Sequence, residues 1–267
     1  MTHTVHRPIA VITGAARGIG AAVAGTLARE GWDLVLGDSC NPDLMPELGY
    51  ALASERELVE VADSCRSVGA NVTTMCCDVR NQDQMCRLVE LAGPNLRAAV
   101  AVAGVIATHG LAWEQTHEDF SNDLDVNLHG IVNLARAAVP VLLKSENPPL
   151  GRFVAVASSA AERGLPRLAS YVAAKHAALG FIRALACDLG QFGITANAVL
   201  PGSTDTALLA RTAHAYDLDS PQDFSQNQRL GRLLRPEEIA AAVAWLCSAA
   251  ASGTTGLAMN VDGGFTG

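Results

Sequence analysis

The stretch Ala10-Val-Ile-Thr-Gly14-Ala-Ala-Arg-Gly18-Ile-Gly20 decides how the rest of the chain is read. A short apolar run at 9–13 leads into three glycines, and a segment with helical spacing follows at 19–30. Strand, glycine turn and helix in that order make the first unit of a dinucleotide-binding sheet. Gly14 permits the tight turn, Gly18 lets backbone approach a pyrophosphate, and Gly20 lets the helix lie close on the strand. The helix start, with Arg17 before it and Ile19 inside it, offers free N–H groups and the positive end of its dipole to phosphate. A purely structural turn uses the same glycines, so the flanking strand and helix carry the inference.

Asp38 supplies its second half. It closes the next strand-like run 18 residues after Gly20, near the ~20-residue spacing at which an acid meets the adenosine ribose hydroxyls. A carboxylate there repels the 2′-phosphate of NADP, whereas Arg17 pulls the other way. Asp38 sits where the ribose ends, so NAD is favoured over NADP. A solvated loop aspartate or a helix cap is the plain alternative.

Outward from this unit the pattern repeats. Strand-like runs at 34–36, 72–76, 98–101, 152–157, 195–199 and 257–260 alternate with helical spacing at 54–68, 81–91, 119–144, 170–192 and 236–248. Such alternation predicts an α/β fold, a doubly wound parallel sheet of about seven strands with helices on both faces. Ser54 with Glu57 reads as a capping box, Asn81 with Gln84 as a similar pairing, and Pro236 as a first helical residue. No repeat or Gly/Ser linker divides residues 1–267, so a single domain is expected. Two stretches look irregular, an insertion at 39–53 and a candidate substrate lid at about 203–229.

Composition narrows the function. The 267 residues are 49% hydrophobic and 17% charged, which excludes a disordered chain. A net charge of −8 speaks against nucleic acid or an anionic membrane as partner. Seven cysteines without a C-x-x-C pair fit small thiols in a reducing compartment better than disulfides or structural zinc. The histidines, His109, His117, His129, His176 and His214 among them, show no metal-ligand spacing, and no metal is expected. Residues 1–8 hold no apolar run of signal-peptide length, and the most apolar run, 98–107, is about half a membrane span. A soluble cytoplasmic protein is the expectation.

Tyr171 and Lys175 stand four residues apart, on one face of a predicted helix. A free phenol titrates near ~10, and a fixed ammonium beside it favours the phenolate. An exposed helix pair is the ordinary explanation of this spacing, and context argues against it. Ser158 ends a predicted strand 13 residues before Tyr171, where its hydroxyl can polarise a carbonyl. Asn127 lies in the preceding long helix, where an amide can hold a water for proton relay. Each has a bland alternative, a strand-end hydroxyl bonded to backbone and a polar helix residue. With the glycine loop, the four make coincidence improbable.

These features together resemble the short-chain dehydrogenase/reductase family over essentially the whole chain. The matching residues are Thr13 to Gly20, Asp78-Val79, Ala103-Gly104, Asn127, Ser158, Tyr171 and Lys175, Pro201-Gly202 and Asp262-Gly-Gly264. The resemblance implies a Rossmann sheet, a nicotinamide cofactor and an Asn127–Ser158–Tyr171–Lys175 tetrad. It implies that Asp78 and Val79 border the adenine, and that residues from Pro201 through Gly202 and Thr204 to Thr206 line the nicotinamide. It also implies a homotetramer or homodimer. Two departures stand out. Val102 replaces the usual Asn before Ala103-Gly104, removing a structural amide while leaving the backbone contact to cofactor. Ser158 and Ser159 are adjacent, although counting seven from Gly151 and 13 back from Tyr171 both give Ser158.

The inserted segment 39–53 is similar to that of the mycofactocin-dependent, carveol dehydrogenase-like subgroup of actinobacteria. That subgroup implies an NAD that does not exchange freely and mycofactocin as external electron acceptor. The expected activity is hydride transfer between a nicotinamide cofactor and a secondary alcohol or ketone. Tyr171 is then the acid–base group, Ser158 orients the substrate, and Lys175 and Asn127 support the proton path. Leu208, Leu209, Tyr216 and Phe224 in the lid point loosely to a small apolar substrate. An NADPH-dependent 3-oxoacyl carrier-protein reductase competes, opposed by Asp38. A non-catalytic dinucleotide sensor is opposed by the intact Tyr171–Lys175 pair. An epimerase or dehydratase is opposed by the lack of a longer C-terminal substrate domain.

Overall fold

Val11 and Ile12 are neighbours in sequence, yet they belong to different hydrophobic cores on opposite faces of one sheet. Side chains alternate across a strand, so a run that is apolar at every position buries both faces. The computed structural model describes residues 7–145 and 150–267. Residues 1–6, within the segment read for a signal peptide, and the side chain of His214 lie outside the described part.

Seven strands, β1 (Ile9–Thr13), β2 (Asp33–Asp38), β3 (Val72–Cys76), β4 (Leu96–Ala101), β5 (Arg152–Val156), β6 (Thr195–Pro201) and β7 (Ala258–Val261), form one sheet. Their order is β3-β2-β1-β4-β5-β6-β7, and every neighbouring pair is parallel. The helices are α1 (Gly18–Arg29), α2 (Glu55–Ser67), α3 (Gln82–Glu90), α4 (His117–Leu124), α5 (Gly130–Lys144), α6 (Ala169–Gly190), α7 (Ala207–Ala215) and α8 (Pro236–Cys247). Helices α1, α2 and α8 cover the face that carries Ile12, Leu36 and Val199. Helices α3, α5 and α6 cover the face that carries Val11, Phe153 and Leu200. The doubly wound sheet expected from the alternation of elements is therefore what the chain forms.

Strand order reverses between β1 and β4, and register sets where the connecting loops emerge. Thr13 pairs with both Gly37 and Ala101, so the ends of β1, β2 and β4 lie level. A crevice outside the carboxyl ends of the strands at such a switch point is where open α/β sheets bind ligands.

Strand β2 ends on Asp38, the residue expected to close it. Two local outcomes depart from the sequence expectation. The long helix expected over 119–144 is interrupted by a π-helical turn, Asp125–His129, which contains Asn127. Within the stretch read as irregular, residues Ala207–Ala215 form α7, and Pro221–Asn227 form a 3₁₀ segment. The Ser54–Glu57 capping box is formed, whereas Asn81 caps α3 through its own side chain alone. The helical stretch His117–Lys144 is long and apolar enough to cross a membrane, and over half of its most apolar window is buried inside the fold.

Candidate active site

The loop after β1 has no room for a side chain at Gly14 or Gly20. Gly14 has φ +67°, and a Cβ on it would lie 2.6 Å from the Ala103 backbone. On Gly20 a Cβ would lie 1.9 Å from the Gly14 carbonyl oxygen. The loop therefore packs directly on the start of the β4 exit, where Val102 N–H donates to the Thr13 hydroxyl at 3.3 Å. No side chain caps α1, so its first-turn amides are left for a ligand.

Asp38 faces this loop. One carboxylate oxygen accepts from Ala16 N at 2.9 Å and the other from Ser39 N at 2.8 Å. It lines the same cavity as Gly14, Gly18, Ile19 and Gly20. Arg17 turns elsewhere, donating to the Ala51 carbonyl at 3.0 Å. That bond ties the glycine loop to the inserted segment. The insertion is itself packed, with Met45 and Leu48 buried in the core and Tyr50 and Leu52 against it. The Tyr50 hydroxyl accepts from Ile106 N at 3.4 Å, and burial pushes its phenol up to about 12. Leu44, Tyr50 and Leu52 all line the cavity.

At the other end of the cavity lie the residues expected to do chemistry. Ser158 follows β5 and lines the cavity with Ser159 and Tyr171, and its hydroxyl favours the Tyr171 phenolate. Its Oγ also accepts from Ala160 N at 3.1 Å, which fixes its direction. Burial pushes the Tyr171 phenol up to about 12, with the Ser158 hydroxyl working against it. Desolvation dominates the phenol, and the lowering expected from a nearby ammonium is not among the influences that act on it. Lys175 sits one turn along α6, its Nζ 5.6 Å from the Tyr171 ring centroid. It is buried, and desolvation pulls its pKa down to about 8. Its hydrogen bond to a protein group, with the Val156 carbonyl, is long at 3.5 Å. A buried ammonium held so loosely by protein has donors to offer a ligand.

Asn127 is fully buried on the π-helical turn. Its Oδ1 accepts from Val105 N at 3.2 Å, and its Nδ2 donates to the carbonyls of Val105 and Asp123, each at 2.9 Å. It therefore fastens the loop after β4 to the helix, close beside Gly104. Asp78 and Val79 line the cavity too, but the Asp78 carboxylate is paired with Arg80 at 2.7 Å. Pro201, Gly202, Thr204 and Thr206 wind from β6 into α7. Thr204 Oγ1 donates to the Gly202 carbonyl at 3.0 Å, and Thr206 Oγ1 donates to the Thr204 carbonyl at 3.2 Å. Thr206 Oγ1 in turn accepts from Leu209 N at 3.3 Å. Leu208, Leu209, Tyr216 and Phe224 close the cavity from the lid side, and the last two rings meet edge to face at 5.9 Å. His176 points outward and bonds the Val172 carbonyl. Asp262 lies off the cavity, its carboxylate accepting from Gly264 N and Thr266 N.

The cavity that joins the glycine loop to Tyr171 encloses about 880 Å³. Its glycine turn, uncapped helix start and loosely bonded buried ammonium fit a dinucleotide. Among the described residues no three His, Cys, Asp or Glu gather as metal ligands. Sequence patterning passed over two residues at this site, Asp123 and Ser170, both fully buried beside the tetrad. Their signal was present in spacing. Asp123 lies one helical turn before Asn127, and Ser170 immediately precedes Tyr171.

Comparison with known proteins identifies the family. Residues 14–266 match the family model described as Enoyl-(Acyl carrier protein) reductase. An uncharacterised NAD-dependent oxidoreductase of Mycobacterium tuberculosis is 33% identical, over 98% of this chain and 96% of the relative. (−)-trans-Carveol dehydrogenase of Rhodococcus erythropolis is 29% identical over 98% of each chain. The crystal structure of carveol dehydrogenase from Mycobacterium avium in complex with NAD superposes with a TM-score of 0.90, at 29% identity and 98% coverage of both chains. With the glycine loop, the Ser158–Tyr171–Lys175 cluster and these relatives in agreement, the chain belongs to the short-chain dehydrogenase/reductase family of oxidoreductases.

Proposed function

We propose that this enzyme is an NAD-dependent alcohol dehydrogenase or carbonyl reductase acting on a small, largely apolar secondary alcohol or its ketone. The observation that carries the proposal is one cavity holding Asp38 and the glycine loop at one end and Ser158, Tyr171 and Lys175 at the other. Gly14, Gly18, Ile19 and Gly20 would hold the pyrophosphate, Asp38 the adenosine ribose, and Asp78 and Val79 the adenine. Ala103, Gly104, Asn127, Lys175, Pro201, Gly202, Thr204 and Thr206 would hold the nicotinamide half. When bound, NAD supplies a hydride acceptor at the nicotinamide ring.

The chain's own residues manage the proton. Tyr171 exchanges the hydroxyl proton of the substrate, since it is a buried phenol at the cavity wall. Ser158, aimed by its bond from Ala160 N, orients the substrate oxygen beside that phenol. Lys175 offers a cation that stabilises phenolate, and Asn127 holds the loop after β4 against the site. Leu208, Leu209, Tyr216 and Phe224 exclude water and favour an apolar substrate body.

The insertion supports a finer reading. Tyr50 and Leu52 over the cavity, fastened through Ala51 to Arg17, act as a cover that retains NAD between turnovers. Mycofactocin then serves as the external acceptor that reoxidises the bound cofactor. The family resemblance extends the proposal to a cytoplasmic homotetramer or homodimer. The deciding experiment assays a panel of cyclic and acyclic secondary alcohols and ketones with NAD(H) and NADP(H), in the parent and in Tyr171→Phe. Turnover that depends on Tyr171 and prefers NAD(H) supports the assignment. No turnover of any member by the folded, dinucleotide-loaded parent defeats it.

A further inference from the structure

Asp123 is fully buried, and its partners tie two helices together. One carboxylate oxygen accepts from the Ser170 hydroxyl at 2.6 Å, the other from Ala107 N at 3.0 Å. Asn127 Nδ2 approaches that second oxygen at 3.4 Å. Ser170 is the residue before Tyr171, and its own N–H is held by the Gln115 side chain at 2.9 Å. A carboxylate at the seam of α4, the loop after β4 and the start of α6 is costly to bury, and burial raises its pKa to about 6 against the Ser170 and Ala107 bonds, so it carries its charge at neutral and alkaline pH. A structural strap alone needs no charge.

We propose that Asp123 is a positioning residue for the Tyr171–Lys175 pair: its carboxylate fastens the first turn of α6 through Ser170 and places a fixed negative charge beside the pair. The proposal rests on Tyr171 and Lys175 being the acid–base pair. A negative charge opposes loss of a proton from either partner, so the sign does not depend on which of them releases it. Both feel Asp123 in that direction. The other titratable groups facing Asp123 are Tyr50 from the insertion and Asp119 from its own helix. Both phenols are held neutral by burial, and Asp119 is occupied in the capping box with Thr116, so Lys175 is the cation that Asp123 addresses.

Asp123→Asn keeps the size and one acceptor while removing the charge. Its limb in the pH profile of alcohol oxidation should move down by roughly one pH unit or more, because the charge that opposed loss of the proton is gone. Ser170→Ala cuts the strap and keeps the charge, so its limb should stay with the parent's. A limb that does not move in Asp123→Asn, or that moves equally in Ser170→Ala, overturns the proposal. A second arm needs no activity. Thermal unfolding of dinucleotide-free Asp123→Asn, Lys175→Met and the double variant at pH 7 should show non-additive shifts, with the double variant more stable than the singles predict. Additive shifts overturn the proposal. If Tyr171→Phe keeps full turnover, the functional assignment fails instead, and the unfolding cycle still decides whether Asp123 and Lys175 are coupled.

Discussion

Arg17 donates a 3.0 Å hydrogen bond to the carbonyl of Ala51, so the glycine loop and the inserted segment are joined across the mouth of the cavity. The bond engages the one basic residue of the loop that speaks for NADP, and it gives the insertion an anchor on the cofactor side. Leu44, Tyr50 and Leu52 extend the cover along the cavity wall.

The first prediction concerns that cover. Protein purified and extensively desalted should retain NAD(H), detectable by absorbance or mass, and should turn over slowly on free NAD alone. Tyr50→Ala combined with Arg17→Ala should release the dinucleotide and speed exchange. Complete loss of dinucleotide from the parent, together with rapid turnover on free NAD, would place it among ordinary exchangeable dehydrogenases.

Asp38→Ala should raise affinity for NADP relative to NAD, because it removes the carboxylate that repels a 2′-phosphate. It should also lower the melting temperature by a few degrees, since Ala16 N and Ser39 N lose an acceptor worth about 1 kcal/mol. Direct binding measurements that show the parent already preferring NADPH would contradict the role given to Asp38.

Tyr171→Phe should lower turnover by at least ~100-fold, the lower range for a positioned acid–base group. Folding should survive, because Ser158 keeps its bond from Ala160 N when the phenol is gone. Dinucleotide binding by calorimetry should be near that of the parent. Activity within about tenfold of the parent would remove Tyr171 from the mechanism.

Lys175 links stability to pH. Its folded pKa of about 8 lies below the ordinary 10.5, so the charged form costs the fold stability. That cost is fully present below about 8 and is relieved as pH rises from there toward 10.5. Lys175→Met should therefore melt higher than the dinucleotide-free parent at pH 7, with the advantage shrinking above pH 8, while activity falls steeply. A melting advantage that does not change with pH would show that Lys175 carries no buried charge.

Much of this molecule was legible in its order of residues. Apolar runs such as 9–13 and 195–199, bounded by glycines and caps, specify strands buried on both faces. The Gly14–Gly20 turn is dictated locally, because only hydrogen fits where Gly20 meets the Gly14 carbonyl. The spacing of Tyr171 and Lys175 is likewise a helical fact, carried by one turn of α6. Helix α7 escaped notice because it lies between Gly202 and Pro221, in a stretch of short apolar pieces, and Thr206 Oγ1 accepts from Leu209 N at its start.

What tertiary structure alone decided are the relations between residues far apart in the chain. Packing brought Ser158 to Tyr171, where its hydroxyl favours the phenolate. It turned Arg17 toward Ala51, put Asn127 on a π-helical turn, and buried Asp123 against Ser170, 47 positions later. Burial then set the charges, pushing Tyr171 up to about 12 and Lys175 down to about 8. Periodicity reports which face of an element is apolar, and local spacing reports caps and turns. Desolvation and long-range hydrogen bonds depend on which elements are brought together, and that is fixed only when the sheet has closed its two cores.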